Sequence, residues 1–212
     1  LAGQPPSPVG ALLARLDPRD PGSFVVNLGA HDGTCASRGV VVDPANCAFD
    51  NGFSGLAVEG NADLLSAHRW PGVDVQLGYA SPGNVSALVA ASMRARGATG
   101  IGLLKVDLDH ADCVFVTALL AAEGVPPPRV LSVEYNRALP PPIRFRERFS
   151  DATLQDFAAV TDAWFVFARR KNWIGCSMQA WYDLAVWYGY RLLWADHNDL
   201  VFARDGGDGA AQ

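Results

Sequence analysis

The chain has 212 residues, of which 50% are hydrophobic, and this is the size of one domain with a sizeable core. Its formal net charge is −5 and its pI about 5.3, so no basic surface for nucleic acid is expected, and ordinary solubility accounts for the acidity. No apolar run reaches the roughly 18 residues that a membrane-spanning helix needs, so we predict a soluble protein. Since the chain begins at Leu1, as a processed product would, the compartment stays open between intracellular and organellar.

The first residues, 1–22, are rich in proline around one short helical run, Val9 to Leu16, and we interpret them as an N-terminal arm. Strands and helices then alternate, separated by glycine and proline, which is typical of a doubly wound parallel sheet. The predicted strands are Phe24–Leu28, Gly55–Glu59, Val73–Leu77, Ile101–Asp107 and Arg129–Tyr135. The predicted helices begin at Asp43-Pro44 and end by Gly52, begin at Asn61, run from Ser81-Pro82 to about Arg96, and span 110–123.

The pattern changes after Asn136, where the prolines of the run 140–142 exclude regular helix and central strand. We interpret residues 137–174 as an insertion or lid over one edge of the sheet.

A helix over Ser177–Tyr188 then precedes two strands, Tyr190–Ala195 and Asp199–Arg204, which we predict to form a hairpin. The predicted fold class is therefore α/β: a Rossmann-like, doubly wound, mostly parallel sheet with a C-terminal antiparallel hairpin. It occupies residues 23–204, and residues 205–212 form a flexible tail.

Four cysteines are widely separated and form no C-x-x-C pair, which argues against a zinc site. Cys113 lies in an apolar run and is predicted to be a core thiol. Cys35 and Cys47 could pair in an oxidising compartment, and the sequence leaves this open.

The stretch from Phe24 to Gly33 reads FVVNLGAHDG, a buried strand that runs into a glycine-containing turn. Glycine permits positive φ and leaves room for a ligand beside the backbone. Ligands of open α/β sheets bind over such turns, at the carboxyl ends of the strands. The turn therefore predicts a nucleotide-like ligand at this end of the sheet.

Five segments, taken in this order, resemble the FkbM-like class I S-adenosylmethionine-dependent methyltransferases, and more closely a group of algal and protist relatives. They are VNLGAHDG (26–33), DPANCAFDNGFSGLAVEGN (43–61), LLKVDLDHAD (103–112), LSVEYN (131–136) and GCSMQAWYDLAVWYGYRLL (175–193). The resemblance implies the class I methyltransferase fold, S-adenosylmethionine as cofactor, and methyl transfer to oxygen of a sugar or another small hydroxylated acceptor.

The resemblance also implies a set of cofactor contacts. The turn would face the methionine part of the cofactor, and Glu59 would accept hydrogen bonds from the ribose hydroxyls. Tyr79 would stack on adenine or simply pack, while Asn61 is more readily a helix cap than a ligand. The cofactor-binding residues predicted in this way are Asn27, which replaces an acidic residue of the family, Gly29, Ala30, Gly33, Glu59, Tyr79, Ala80 and Asp107.

Asp107 and Asp109 end the fourth strand, beside the expected methyl group. A carboxylate there could accept the proton of a substrate hydroxyl, so both are candidate catalytic residues. They could equally orient Lys105 or cap the helix at 110–123. His31 is a further candidate base, and His110, which replaces a family glycine, adds a titratable ring near the cleft.

We assign no metal ion. An alternative, which spacing alone does not establish, is that Glu134 and Asn136 join Asp107 and Asp109 in an acidic cluster for a divalent cation.

The alternative to an enzyme is a non-catalytic scaffold of the same fold, or an accessory subunit of a larger assembly. Asn27 and His110 leave this alternative open. Protein partners would contact the N-terminal arm or the aromatic C-terminal third, where Trp181-Tyr182 and Trp187-Tyr188 cannot all face inward on one helix.

Overall fold

The computed structural model describes residues 8–37, 41–65, 70–150, 174–196 and 198–204. Residues 1–7 of the predicted arm, residues 151–173 of the predicted insertion and the predicted tail at 205–212 lie outside the described residues.

The described strands, numbered in chain order, are β1 (Phe24–Leu28), β2 (Ala36–Ser37), β3 (Val41–Val42), β4 (Gly55–Glu59), β5 (Val73–Leu77), β6 (Ile101–Val106), β7 (Val130–Glu134), β8 (Tyr190–Ala195) and β9 (Asp199–Arg204). The described helices are α1 (Pro8–Leu13), α2 (Pro44–Asp50), α3 (Ala62–Leu65), α4 (Val85–Arg96), α5 (Asp112–Leu120) and α6 (Met178–Trp187). None of these helices is both long and apolar enough to cross a lipid bilayer.

Seven strands form one sheet in the order β5-β4-β1-β6-β7-β9-β8. The first five in this order pair in parallel, and β9 runs antiparallel to both of its neighbours. The predicted fold class, a mostly parallel Rossmann-like sheet with a C-terminal antiparallel hairpin, is confirmed. The short antiparallel pair of β2 and β3 was not predicted, because two-residue strands carry no periodic pattern.

Several element ends differ from the predictions for local reasons. Helix α4 begins at Val85, four residues after Ser81, because the Asn84 side chain accepts from the backbone N–H of Ser81 and closes a turn first. Helix α5 covers only Asp112–Leu120, and it starts two residues late because Ala111 before it has a non-helical ψ of 47°. Helix α1 ends at Leu13, three residues early.

Helix α2 shows the predicted signals at both ends. The Asp43 side chain accepts from the backbone N–H groups of Ala45 and Asn46, which caps the N-terminus, and proline occupies the first turn. Gly52 follows the C-cap residue with φ +87°, as a helix-ending glycine should.

The sheet is buried on both faces, and alternate residues of each strand serve different layers. Phe24, Val26 and Leu28 of β1 pack in the core beneath α4, α5 and α6. Val25 packs in a second core that includes α1 and α2. This two-sided burial explains why the central strands are almost continuously apolar.

Helix α6 divides its aromatic residues between core and surface, as expected. Trp181 is buried and its indole N–H donates to the backbone carbonyl of Glu134 at 2.8 Å. Tyr182 and Trp187 lie on the exposed side, the latter with 83% of its surface accessible.

The prediction that Cys113 is a core thiol is wrong in one respect. The residue is buried, but its sulfur is bonded to that of Cys176, 63 residues away. Sequence spacing could not reveal this pair, because the packing of α5 against the segment before α6 creates it. The open pairing of Cys35 with Cys47 is also present, and it joins the loop after β1 to α2.

Candidate active site

The candidate site lies where the chain changes direction in the sheet. Strand β1 stands between β4 and β6, and successive strands are added on one side of β1 before the chain crosses to β6 on the other. Ligands of open α/β sheets bind in the crevice outside the carboxyl ends of strands at such a point. Apart from Asn27 within β1, the predicted site residues lie at or just after the ends of β1, β4, β5 and β6, and the topology brings these strand ends to one edge.

The turn after β1 packs directly against the end of β6. Gly29 has φ +86°, and a Cβ atom at this position would lie 1.8 Å from the carbonyl oxygen of Asp107. The backbone N–H groups of Gly29 and Ala30 both donate to the carbonyl of Val58, at 3.0 Å. The turn is therefore fixed between β4 and β6, and only glycine fits its first position.

Glu59 ties the same turn to the end of β4. Its Oε2 atom accepts from the backbone N–H of His31 and its Oε1 atom from that of Asn61, both at 2.8 Å. Each carboxylate oxygen can accept a second hydrogen bond, so capacity for a ligand hydroxyl is left. The Asn61 side chain accepts from the backbone N–H of Asp63, which confirms the predicted helix cap.

A buried lysine connects the turn to Asp107. Lys105 is 7% exposed, and its Nζ atom donates to the carbonyl of Gly29 at 2.8 Å. The same atom lies 3.2 Å from carboxylate oxygens of Asp43 and Asp107. Burial alone would lower the pKa of Lys105, but the charges of these two aspartates outweigh it and raise the pKa. This is the contact expected of the alternative in which Asp107 orients Lys105.

The sequence pattern indicates Asp43 only as a helix cap, and its ion pair with Lys105 was not predicted. A lysine inside the apolar strand of LLKVDLD was the available signal, because a lysine buried there needs a carboxylate partner. The partner comes from a helix 62 residues earlier in the chain, which no local pattern identifies.

Asn27 lies within this buried network. Its amide group donates to both carboxylate oxygens of Asp43, each at 3.2 Å, and to Asn46 Oδ1 at 2.9 Å. The side chain is fully buried, and its Oδ1 atom has no hydrogen-bond partner among the described residues. A cofactor contact by Asn27 stays a prediction, and this placement gives it no support.

Three carboxyl groups meet beside the turn. Asp107, Asp109 and Glu134 each bring one carboxylate oxygen to within 4.8 Å of the others. Burial and then the charge of Asp107 raise the pKa of Asp109 to about 6. Burial, together with the charges of Asp107 and Asp109, raises the pKa of Glu134 to about 10. The alternative that Asp107 or Asp109 caps the following helix is wrong, because the N-cap residue of α5 is Ala111 and accepts no side-chain bond.

The two histidines have different surroundings. His31 is exposed, with its Nδ1 atom 3.5 Å from Asp32, and its positive form would lower the pKa of Asp109. His110 is buried against the rings of Phe115 and Phe149, and burial lowers its pKa to about 4. His110 is therefore a neutral residue of the core, packed against these two rings.

The side chains of Tyr79 and Ala80, which follow β5, lie in different surroundings. The Tyr79 ring is 42% exposed and covers the backbone of Gly60, where a Cβ atom would lie 2.4 Å from the ring. It thus stands beside Glu59, and burial and the Glu59 charge raise its pKa. Ala80 is buried in the core beneath α4. The open apolar surface here comes from Tyr79 and the neighbouring Leu77.

Asp199, the first residue of β9, pairs in register with Glu134, and Asp199→Asn tests the cost of placing its carboxylate near Asp107. Burial and then the Asp107 charge raise the pKa of Asp199 to about 6, from 3.8. A carboxyl group whose pKa rises on folding favours the fold when protonated, so its penalty is absent below the unfolded pKa and complete above about pH 6. We expect the substitution to increase the free energy of unfolding by about 1–2 kcal/mol at pH 8 and to leave it unchanged near pH 4. Urea denaturation at the two pH values, in EDTA to remove metal ions, measures both stability differences. Equal effects at pH 4 and pH 8 would contradict the raised pKa of Asp199.

No protein-family model and no curated protein matches the chain. Among solved structures, the chain is similar to LepI in complex with SAM, with 12% identity and a TM-score of 0.46 over 93% of this chain and 47% of that one. It is also similar to a pericyclic reaction enzyme, with 11% identity and a TM-score of 0.45 over 93% and 47% of the two chains. The chain thus spans about half the length of these two chains. The FkbM-like resemblance stays a prediction.

Proposed function

We propose that this protein binds S-adenosylmethionine at the carboxyl edge of the sheet and transfers its methyl group to an oxygen atom of a sugar or another small hydroxylated acceptor. The observation that supports this most is the hydrogen-bonded unit formed by the turn after β1, Glu59 and Asp107. His31 N–H donates to Glu59, and the Gly29 carbonyl accepts from Lys105, which is paired with Asp107. Residues predicted separately as contacts to one ligand therefore belong to one continuous structure.

The chemistry of the residues fits the groups of this cofactor. Glu59 is an acceptor for ribose hydroxyls, and the exposed faces of Tyr79 and Leu77 are apolar surface for a purine. The carboxylates of Asp107 and Asp109 provide negative charge for an ammonium and a sulfonium group. A free lysine would repel these two cationic groups. In the described part of the site, however, the charge of Lys105 is already paired with Asp43 and Asp107.

When bound, the cofactor would supply an electrophilic methyl group on a sulfonium. Asp109 is the better candidate for general base, because a pKa of about 6 leaves it ionised at neutral pH yet more basic than an ordinary aspartate. It would accept the hydroxyl proton as the acceptor oxygen bonds to the methyl group, while the methyl–sulfur bond would break and S-adenosylhomocysteine would leave. Lys105 would hold Asp107 in place, and positioning would contribute much of the rate.

Isothermal titration calorimetry with S-adenosylhomocysteine tests cofactor binding, and Glu59→Gln tests the site. We expect binding to weaken about tenfold or more in Glu59→Gln, since the amide has one acceptor oxygen in place of two. Asp63→Asn, an exposed carboxylate four residues further along, is the matched control and should bind normally. Absence of binding at millimolar concentration would overturn the proposal. Unchanged affinity in Glu59→Gln would overturn the ribose assignment alone.

One observation favours a second candidate, a non-catalytic scaffold. Both oxygens of Glu59 already accept backbone N–H groups, so the turn is held in place by the protein alone. Such a turn could persist as architecture in an accessory subunit of a larger assembly. A stably folded chain that binds neither S-adenosylmethionine nor S-adenosylhomocysteine would support this candidate.

A further inference from the structure

The carboxyl groups of Asp107, Asp109 and Glu134 form a compact set of oxygen donors at the ends of two adjacent strands. Strands β6 and β7 pair in parallel up to Val106 and Val133, so the residues that follow emerge side by side. One oxygen from each side chain lies within 4.8 Å of the other two. Oxygens bound to a cation at about 2.1–2.6 Å lie at most about 4–5 Å apart, so the spread of this trio fits one shared ion.

The negative charge of the trio is poorly compensated by the protein. Lys105 contacts Asp107, but it is shared with Asp43 and with the carbonyl of Gly29. Asp199 pairs in register with Glu134 and adds a further carboxyl group to this edge. A group of carboxylates at such short distances must bind either protons or a cation.

Asp112 provides an independent observation. It is 2% exposed, and its Oδ2 atom accepts from the backbone N–H of Leu108, the residue between Asp107 and Asp109, at 3.4 Å. Its carboxylate therefore faces the loop that carries two of the three donors. The Oδ1 atom is buried and has no hydrogen-bond partner in the part of the chain that the structure describes. A buried carboxylate oxygen of this kind is costly unless a donor or a cation approaches it.

We propose that Asp107, Asp109 and Glu134 bind one hard divalent cation, Mg²⁺, Mn²⁺ or Ca²⁺, with the buried carboxyl group of Asp112 behind them. An all-carboxylate donor set selects such ions over softer metals, which prefer sulfur and imidazole ligands. The ion lies next to the turn of Gly29, where it can orient an acceptor hydroxyl, and with the ion bound Asp109 is a ligand and no longer the general base. The site is defined by protein groups alone, so it does not depend on cofactor binding.

Electron paramagnetic resonance with Mn²⁺ tests the site, since bound Mn²⁺ loses the sharp signal of the free ion. We expect one ion per chain, displaced by excess Mg²⁺ or Ca²⁺. Asp109→Asn and Glu134→Gln should each weaken binding about tenfold or more, because each replaces a carboxylate ligand by a neutral amide of nearly the same shape. Asp17→Asn, at an exposed carboxylate paired with Arg19, is the control and should bind as the unmodified chain does.

Thermal denaturation provides a second measurement and checks that the variants fold. In EDTA, Glu134→Gln should melt at or above the temperature of the unmodified chain, because it removes one of three closely spaced carboxyl groups and introduces no charge. Added Mn²⁺ should raise the melting temperature of the unmodified chain and of Asp17→Asn only. The inference would be overturned if the unmodified chain bound no Mn²⁺ at millimolar concentration. It would also be overturned if the Asp109 and Glu134 variants bound Mn²⁺ as tightly as the unmodified chain. Calorimetry with S-adenosylhomocysteine in EDTA keeps the two proposals apart, since cofactor binding can fail while the ion still binds.

Discussion

Replacement of Lys105 by methionine is expected to lower the free energy of unfolding by about 3 kcal/mol, at the lower end of the range for breaking a buried ion pair. The methionine side chain fills a similar volume, so the loss is electrostatic. It leaves the Asp43 and Asp107 carboxylates without their shared cation and the Gly29 carbonyl without its side-chain donor. The lower end applies because the Asp107 side chain is 37% exposed and water can partly replace the lysine.

Arg144→Met is the matched control for this prediction. Arg144 forms an ion pair with Asp183, but the arginine side chain is 66% exposed, so its loss should cost less than about 1 kcal/mol. A second variant, Asp107→Asn in the Lys105→Met background, should recover part of the lost stability by removing one orphaned carboxylate. Chemical denaturation of the four proteins measures these differences. Similar losses in the two methionine variants would show that the buried pair is not stabilising.

Gly29→Ala is expected to destabilise the fold by about 3 kcal/mol or more, from two sources that add. A left-handed backbone costs an alanine about 1–2 kcal/mol. The new methyl group would also lie 1.8 Å from the carbonyl oxygen of Asp107, so the turn or the end of β6 must move. Because Lys105 and Glu59 attach the same turn to two strands, that movement would break further hydrogen bonds.

Gly52→Ala separates these two sources. Gly52 has φ +87°, nearly the same as the +86° of Gly29, but nothing lies within 4 Å of a Cβ atom there. It should therefore lose only the backbone contribution of about 1–2 kcal/mol. Thermal and urea denaturation of the two alanine variants give the comparison. Equal destabilisation would mean that the close contact with Asp107 is relieved at no cost.

Much of the sheet was predictable because its strands carry strong local signals. β1, β4, β5 and the two hairpin strands have the predicted bounds, since each is a short apolar or alternating run between glycine, proline or polar turn residues. The ends of α4 and α5 were less predictable. Their starts depend on the side-chain bond of Asn84 and on the backbone of Ala111, neither of which follows from composition.

The sequence by itself determined the fold class, the position of the turn after β1 and the acidic character of the strand ends, because these follow from period, glycine placement and chain order. Only the tertiary structure decided which polar residues meet. Lys105 of β6 pairs with Asp43 at the start of α2, and Cys113 is bonded to Cys176. Asn27 donates a hydrogen bond to Asp43 within the buried network. Pairings of this kind join residues far apart in the chain, and they depend on how helices pack on a sheet, which local sequence patterns do not encode.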